Sequence, residues 1–161
     1  MKSDMDPFLW NRQNEPEALA ELDQRCFRKC WKLQEYIDLS RKKPFRGWLL
    51  EHSEKGPCAF LVFFLIPPEV QILRMGVHPE FRREGLASRM LDELDQEAIA
   101  NQSHSLWLDV HAENVPAVEL YKKSGFTEIY QRKGYYQNPP GDAVLMKKNL
   151  HEVAAIRSDE D

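Results

Sequence analysis

The hexapeptide Arg82-Arg83-Glu84-Gly85-Leu86-Ala87 joins two stretches of different periodicity. Ahead of it Val70, Ile72, Met75 and Val77 alternate in part, as in a strand over residues 69–77 that His78-Pro79 brings to an end. Behind it Leu86, Met90, Leu91, Leu94 and Ala98 recur at the spacing of one helix face out to Asn101, with acids and glutamine between them. A helix that begins directly after a strand presents unpaired amide N–H groups and the positive end of its dipole, which together suit a phosphate. Gly85 permits close backbone approach, Ala87 adds little bulk, and the arginines supply charge-assisted hydrogen bonds. The turn lacks the Gly-Lys-Ser/Thr ending of a nucleoside-triphosphate loop, so the expected ligand is a diphosphate-bearing cofactor without magnesium. Taken alone, the hexapeptide reads equally well as an ordinary capped helix start.

On the N-terminal side, residues 8–12 form a short strand in this reading. Asn14-Glu15-Pro16-Glu17 follows as an N-cap with an early proline, opening a helix through Leu19, Leu22 and Phe27. A second helix is expected over residues 33–42, closed by Pro44. Residues 47–52 and 58–66 read as strands around Glu54-Lys55-Gly56-Pro57, the second apolar on both faces. On the C-terminal side, residues 105–111 are a strand, and Asn114-Val115-Pro116 starts a helix that stops at Ser124-Gly125. Residues 126–132 and 143–148 complete the sheet as two strands around a loop holding Tyr135-Tyr136 and Asn138-Pro139-Pro140-Gly141. The order βααβββαβαββ describes one layered α+β (α/β) domain, with boundaries at 1–150 and an acidic, disordered tail at 151–161.

At 161 residues, with 42% hydrophobic and 30% charged content, the chain has the composition of an ordinary soluble protein. Its net charge of −4 argues against a nucleic-acid footprint. The apolar run 59–66 falls well below the ~20 residues that span a bilayer, and no secretory signal opens the chain, so a cytoplasmic location without membrane contact is expected. Cys26, Cys30 and Cys58 have neither metal-ligand spacing nor a disulfide pattern and are read as buried free thiols, leaving no metal site. The basic cluster Arg41-Lys42-Lys43 with Arg46 reads as a solvated helix end, and His78, His104 and His111 as scattered solvated or satisfied side chains.

About two dozen residues beyond the turn comes Leu106-Trp107-Leu108-Asp109-Val110, followed by Asn114 and then Ala117-Val118-Glu119-Leu120-Tyr121-Lys122-Lys123-Ser124-Gly125-Phe126. Here the chain resembles the GNAT acetyltransferase superfamily. The resemblance covers residues 72–147 and rests on a turn of Arg/Gln-x-x-Gly-x-Gly/Ala type paired with an Asn-x-x-Ala-x-x-Leu-Tyr-x-x-x-Gly-Phe run. Within the superfamily it is most similar to the RimI-type ribosomal-protein-alanine N-acetyltransferases. Cys26-Phe27-Arg28-Lys29-Cys30-Trp31 resembles their Phe-Pro-x-x-Trp region near the substrate, and Arg132-Lys133-Gly134-Tyr135-Tyr136 with Asp142-Ala143 resembles their tyrosine-rich hairpin. The resemblance implies a central, mixed, mostly antiparallel sheet, splayed at its middle, with helices on both faces.

It also implies acetyl-coenzyme A as cofactor, held by Arg82, Arg83, Glu84, Gly85, Leu86 and Ala87 together with Asn114 and Tyr121, and a carbonyl polarised by backbone N–H groups at Met75 to Val77. Trp31, Tyr135 and Tyr136 are the implied acceptor contacts, and Asp109 and Tyr121 the implied catalytic base and acid. Where the family has Leu-Glu-Val this chain has Leu108-Asp109-Val110, one methylene shorter, so Asp109 acts through water, acts after burial raises its pKa, or does not act. The chemistry asks for such groups, because only a neutral amine attacks a thioester and the departing thiolate needs a proton. An α-amine is about 14% neutral at pH 7 and a lysine about 0.04%, a gap of roughly 3.5 kcal/mol that favours an N-terminal amine as acceptor for a weak base. The expected partner is thus a protein or peptide N-terminus, a ribosomal protein among the candidates, with the enzyme a monomer or weak dimer. Two other readings stay open: a small-molecule amine acetyltransferase, and a non-catalytic acyl-coenzyme A-binding module.

Overall fold

The computed structural model describes residues 5–150. Seven strands form one open sheet in the order β1-β2-β3-β4-β5-β7-β6, and four helices complete the expected order of elements. The sheet is mostly antiparallel, with β4 (Glu69–Val77) and β5 (Ser105–His111) paired in parallel. Their ladder is only three pairs long, Glu69–Gln71 against Ser105–Trp107, although β5 runs on to His111, so the sheet is splayed at its middle. By internal contacts the chain divides into two compact units, Met1–Phe64 with Arg74–Met90, and Leu65–Leu73 with Leu91–Asp161.

In the first unit, α1 (Pro16–Cys26) buries Leu19, Ala20, Leu22, Asp23 and Cys26, a spacing of three and four that marks one helical stripe. Pro16 starts the helix, but Asn14 does not cap it as expected: Glu15 occupies the cap without a side-chain bond. Asn14 instead takes φ +56° and accepts a 2.6 Å hydrogen bond from the Gly47 amide, so its carbonyl ties the chain to β2 (Phe45–His52). Gly47 itself leaves room for α1, because a Cβ there would stand 2.7 Å from Leu19 Cδ1. The second helix, α2 (Leu33–Ser40), stops two residues short of its expected end. β1 (Phe8–Asn11) and β3 (Gly56–Ile66) flank β2 antiparallel, and Trp48 meets Phe63 edge-on at 5.0 Å. Fully burying apolar side chains of this size contributes about 1.5–3 kcal/mol each. Of the three free cysteines Cys26 and Cys58 are buried, whereas Cys30 is exposed in the loop after α1, against expectation.

The second unit is built on β7 (Pro140–Asn149), which pairs antiparallel with β5 on one side and with β6 (Thr127–Gln137) on the other. Both hairpin strands run longer than the sequence suggests. Tyr135 and Tyr136 lie in β6 rather than in the loop, because backbone pairing from Tyr136↔Gly141 to Gln137↔Pro140 overrides the local turn signal of the prolines. α3 (Leu86–Ala100) carries Asp95, whose carboxylate pairs with Lys148 of β7 at 2.6 Å. α4 (Val115–Lys123) is capped by Asn114, whose Oδ1 accepts from the Ala117 amide at 3.3 Å, and Gly125 ends it at φ +100°. Among the described residues no helix is long and apolar enough to cross a membrane.

Candidate active site

The turn before α3 has the backbone shape its sequence suggests. Arg83 and Gly85 both lie in the left-handed region, at φ +67° and +77°, and the space where a Gly85 Cβ would sit is open. The bond from the Arg89 amide to the Gly85 carbonyl, 3.0 Å, begins the α3 ladder, which leaves the amides of Leu86, Ala87 and Ser88 ahead of it. The arginines divide their work. Arg82 donates through Nε to the Val77 carbonyl (3.2 Å) and through Nη2 to the Cys26 carbonyl (3.0 Å), and so braces the turn rather than facing a ligand with its side chain. Arg89 pairs with Asp6 and lies over the Phe8 ring. Arg83 is exposed with no partner among the described residues, so its cation is available for an anion. Met75 and Val77 are half-buried on β4 on either side of Gly76. Trp31 follows in the loop after α1, half-buried, with its ring 5.5 Å from that of Tyr36.

The second unit holds Asp109, Asn114, Tyr121, Tyr135 and Tyr136. Asp109 points from β5 into a cleft of about 440 Å³ walled by Ile66, Glu69, Gln71, Trp107 and Arg132. Its side chain is 20% exposed, with Arg132 Nε 3.4 Å from Oδ1, yet that oxygen is shielded from solvent and has no hydrogen-bond partner among the described residues. Tyr121 is buried near the end of α4, edge-on to Phe126 at 5.6 Å. Burial, with Tyr136 nearby, pushes its phenol up to about 12. Burial also raises Tyr136 to about 12, helped by the Asp109 carboxylate and Tyr135. Tyr136 thus feels Asp109 and is itself felt by Tyr121, while its neighbour Tyr135 is half exposed.

His111, read from sequence as incidental, proves to be the seat of Tyr136. The two rings stack at 5.0 Å and 14°. His111 Nδ1 accepts from the Glu113 amide at 3.2 Å, which places the proton of the neutral ring on Nε2, 3.4 Å from the Pro139 carbonyl. Gly141 makes room for this ring, since a Cβ there would fall 2.2 Å from His111 Cε1. The alternation Trp107, Asp109, His111 along β5 was the available signal, for it puts all three on one face of the strand. Arg74 also escaped notice, although an arginine among Ile72, Leu73 and Met75 interrupts an apolar strand. The second unit therefore assembles a shielded carboxylate and two phenols that keep their protons near neutral pH, a set suited to moving protons on and off nitrogen and sulfur.

Residues 16–126 match the model of the acetyltransferase (GNAT) family. The chain is 33% identical over 131 residues to the [ribosomal protein bS18]-alanine N-acetyltransferase of Escherichia coli strain K12, covering 80% of this chain and 87% of that one. The crystal structure of the Escherichia coli ribosomal-protein-S18-alanine N-acetyltransferase shares the fold with a TM-score of 0.80 at 24% identity, over 89% of this chain and 94% of that one. A second fold likeness, at TM-score 0.77 and 18% identity over 89% of this chain and 99% of that one, is to Arabidopsis thaliana NAA60 in complex with acetyl-CoA. With its splayed seven-stranded sheet, its Gly85 turn and the family match over most of its length, the chain belongs to the GNAT family of acetyltransferases, enzymes that draw their acetyl group from acetyl-CoA.

Proposed function

We propose that this N-acetyltransferase acetylates the α-amine at the N-terminus of a protein, a ribosomal protein with N-terminal alanine being the acceptor class that its 33%-identical relative suggests. The observation that carries this reading is Asp109, whose shielded carboxylate oxygen lies beside Arg132 but without a hydrogen-bond partner among the described residues, in the wall of a cleft of about 440 Å³. An amine arriving there finds an acceptor for its proton, and an α-amine, far more often neutral than a lysine, asks least of it. In this reading Tyr135 and Tyr136 of β6, and Trp31 of the loop after α1, are the acceptor contacts.

The residues of the turn fit the diphosphate of coenzyme A. Gly85 leaves its Cβ position open, Arg83 offers a cation unpaired among the described residues, and the amides of Leu86 and Ala87 precede the helix ladder. Glu84 takes part through its backbone, while Arg82 holds the turn in shape. Amides at Met75 to Val77 would hold the thioester carbonyl, and Asn114 acts by setting the start of α4, on which Tyr121 is carried. Acetyl-coenzyme A supplies an activated acetyl thioester, whose transfer to the amine leaves a thiolate. Tyr121 Oη keeps its proton at any pH below about 12 and donates a hydrogen bond from it.

Residues 1–150 act in this reading as one catalytic domain, monomeric or weakly dimeric and cytoplasmic, with 151–161 an acidic tail outside the described residues. The test is release of free thiol from acetyl-CoA with peptides that begin with alanine or serine, with the same peptides blocked at the α-amine, and with a panel of polyamines and aminoglycosides. Thiol release with the unblocked peptides alone is expected. Turnover confined to the small amines would replace the peptide reading, and no turnover with any amine would remove the catalytic one.

A further inference from the structure

Asp23 of α1 is fully buried, and a carboxylate in that position must be paired. Arg74 of β4 supplies a two-pronged partner, with Nε 2.8 Å from Oδ2 and Nη2 2.9 Å from Oδ1, while the Tyr36 hydroxyl donates to Oδ2 as well. Arg74 does more than neutralise. Its Nη2 also donates to the Lys29 carbonyl at 3.0 Å, and its guanidinium carbon lies 4.2 Å from the centre of the Phe27 ring and 5.1 Å from that of Trp31. Trp31 therefore packs against both the guanidinium and the Tyr36 ring, two groups that share one anchor in Asp23. The start of the same loop is held by Arg82 at the Cys26 carbonyl. Gly76, whose Cβ would stand 2.8 Å from Phe27 Cε2, lets the loop lie against β4.

Burying an ion pair is a poor way to stabilise a core, since apolar residues of similar volume commonly do as well or better. What apolar residues could not do is grip a backbone carbonyl and present a flat cation to two rings. We propose that Arg74 is a positioning residue for the acceptor: anchored on Asp23, it sets the Phe27–Trp31 loop so that the Trp31 ring meets the first residues of the incoming chain. The inference rests on the reading of Trp31 as an acceptor contact.

Arg74→Lys tests it, because lysine keeps a cation beside Asp23 but loses the fork and the planar face. The KM for an alanine-starting peptide should rise about tenfold, the scale of a lost cation–π contact and one charge-assisted hydrogen bond, while the KM for acetyl-CoA stays within about twofold. Asp23→Asn with Arg74→Gln, which removes both charges together, should move the peptide KM in the same direction. In a Trp31→Ala background Arg74→Lys should add nothing further, since both changes remove one contact. An unchanged peptide KM in Arg74→Lys would overturn the inference. So would strictly additive effects with Trp31→Ala, or a fall in kcat that tracks the folded fraction while both KM values hold. If the unaltered enzyme acetylates no peptide, the functional reading itself has failed, an outcome visible before any variant is made.

Discussion

Tyr121→Phe separates a catalytic tyrosine from a packing one. The ring is buried and contacts Phe126 edge-on at 5.6 Å, a contact that phenylalanine keeps. The hydroxyl is not among the buried polar atoms left without a partner, so its loss should change unfolding free energy by no more than about 0.5 kcal/mol, the ordinary scale for a substitution that breaks no buried network. Its effect on turnover should be far larger. With its pKa raised to about 12 the phenol is a weak acid facing a thiolate of about 8.5, and full proton transfer is uphill by about 3.5 in pKa, roughly 5 kcal/mol. In the proposed mechanism Tyr121 would therefore contribute chiefly as a fixed hydrogen-bond donor that keeps its proton near neutral pH. Removing such a donor costs about 10²–10³ in kcat, or about 2.7–4 kcal/mol. Thiol-release kinetics at saturating peptide and acetyl-CoA measure the first quantity, and urea unfolding the second. A variant as stable as the parent with kcat within threefold of it would refute the role of Tyr121, and a loss of stability that matched the loss of activity would assign the residue to the core.

Three further outcomes follow from the same geometry. Gly76→Ala forces a Cβ to 2.6 Å from Phe60 Cε1 and 2.8 Å from Phe27 Cε2, so urea unfolding should show a destabilisation of about 1–3 kcal/mol, and an unchanged midpoint would mean the packing there is looser than described. Gly85→Val puts a branched side chain at φ +77°, a strain of about 1–2 kcal/mol; calorimetry should find weaker acetyl-CoA binding, and equal affinity would mean that the diphosphate rests elsewhere. Burial raises the Cys26 and Cys58 thiols from 9.0 to about 11 and Tyr121 from 10.0 to about 12. Each folded-state value lies above the unfolded one, so the stability is whole below about pH 9 and is lost as pH climbs through 9–12. The share from Tyr121 alone amounts to about 3 kcal/mol. A urea midpoint that stays level from pH 8 to pH 11 would contradict this.

Most of the frame could be read from the chain because its signals are local. The change from alternation to helical spacing at Gly85 located β4 and α3, and Asn114 with Pro116 and Gly125 bracketed α4. Where reading failed, a distant partner had outbid a local preference. Asn14 looks like a cap until the Gly47 amide, 33 residues away, claims its carbonyl. Tyr135 and Tyr136 look like loop residues until β7 extends their strand. Among the candidate residues, Asp109 and Tyr121 carried recognisable motifs, but the tasks of Arg82, His111 and Arg74 did not, because each depends on a contact absent from its own neighbourhood. Arg74 meets Asp23 across 51 positions, and only the folded chain puts a carboxylate there.

The most direct test of N-terminal acetylation is to supply acetyl-CoA and a peptide bearing both a free α-amine on alanine and an internal lysine, then locate the added acetyl group by tandem mass spectrometry. Acetyl on the alanine nitrogen, with the lysine untouched, is the result expected of Asp109 acting on the more readily neutral amine. Acetyl on the lysine, or a peptide recovered unmodified while a small amine is consumed, would contradict it.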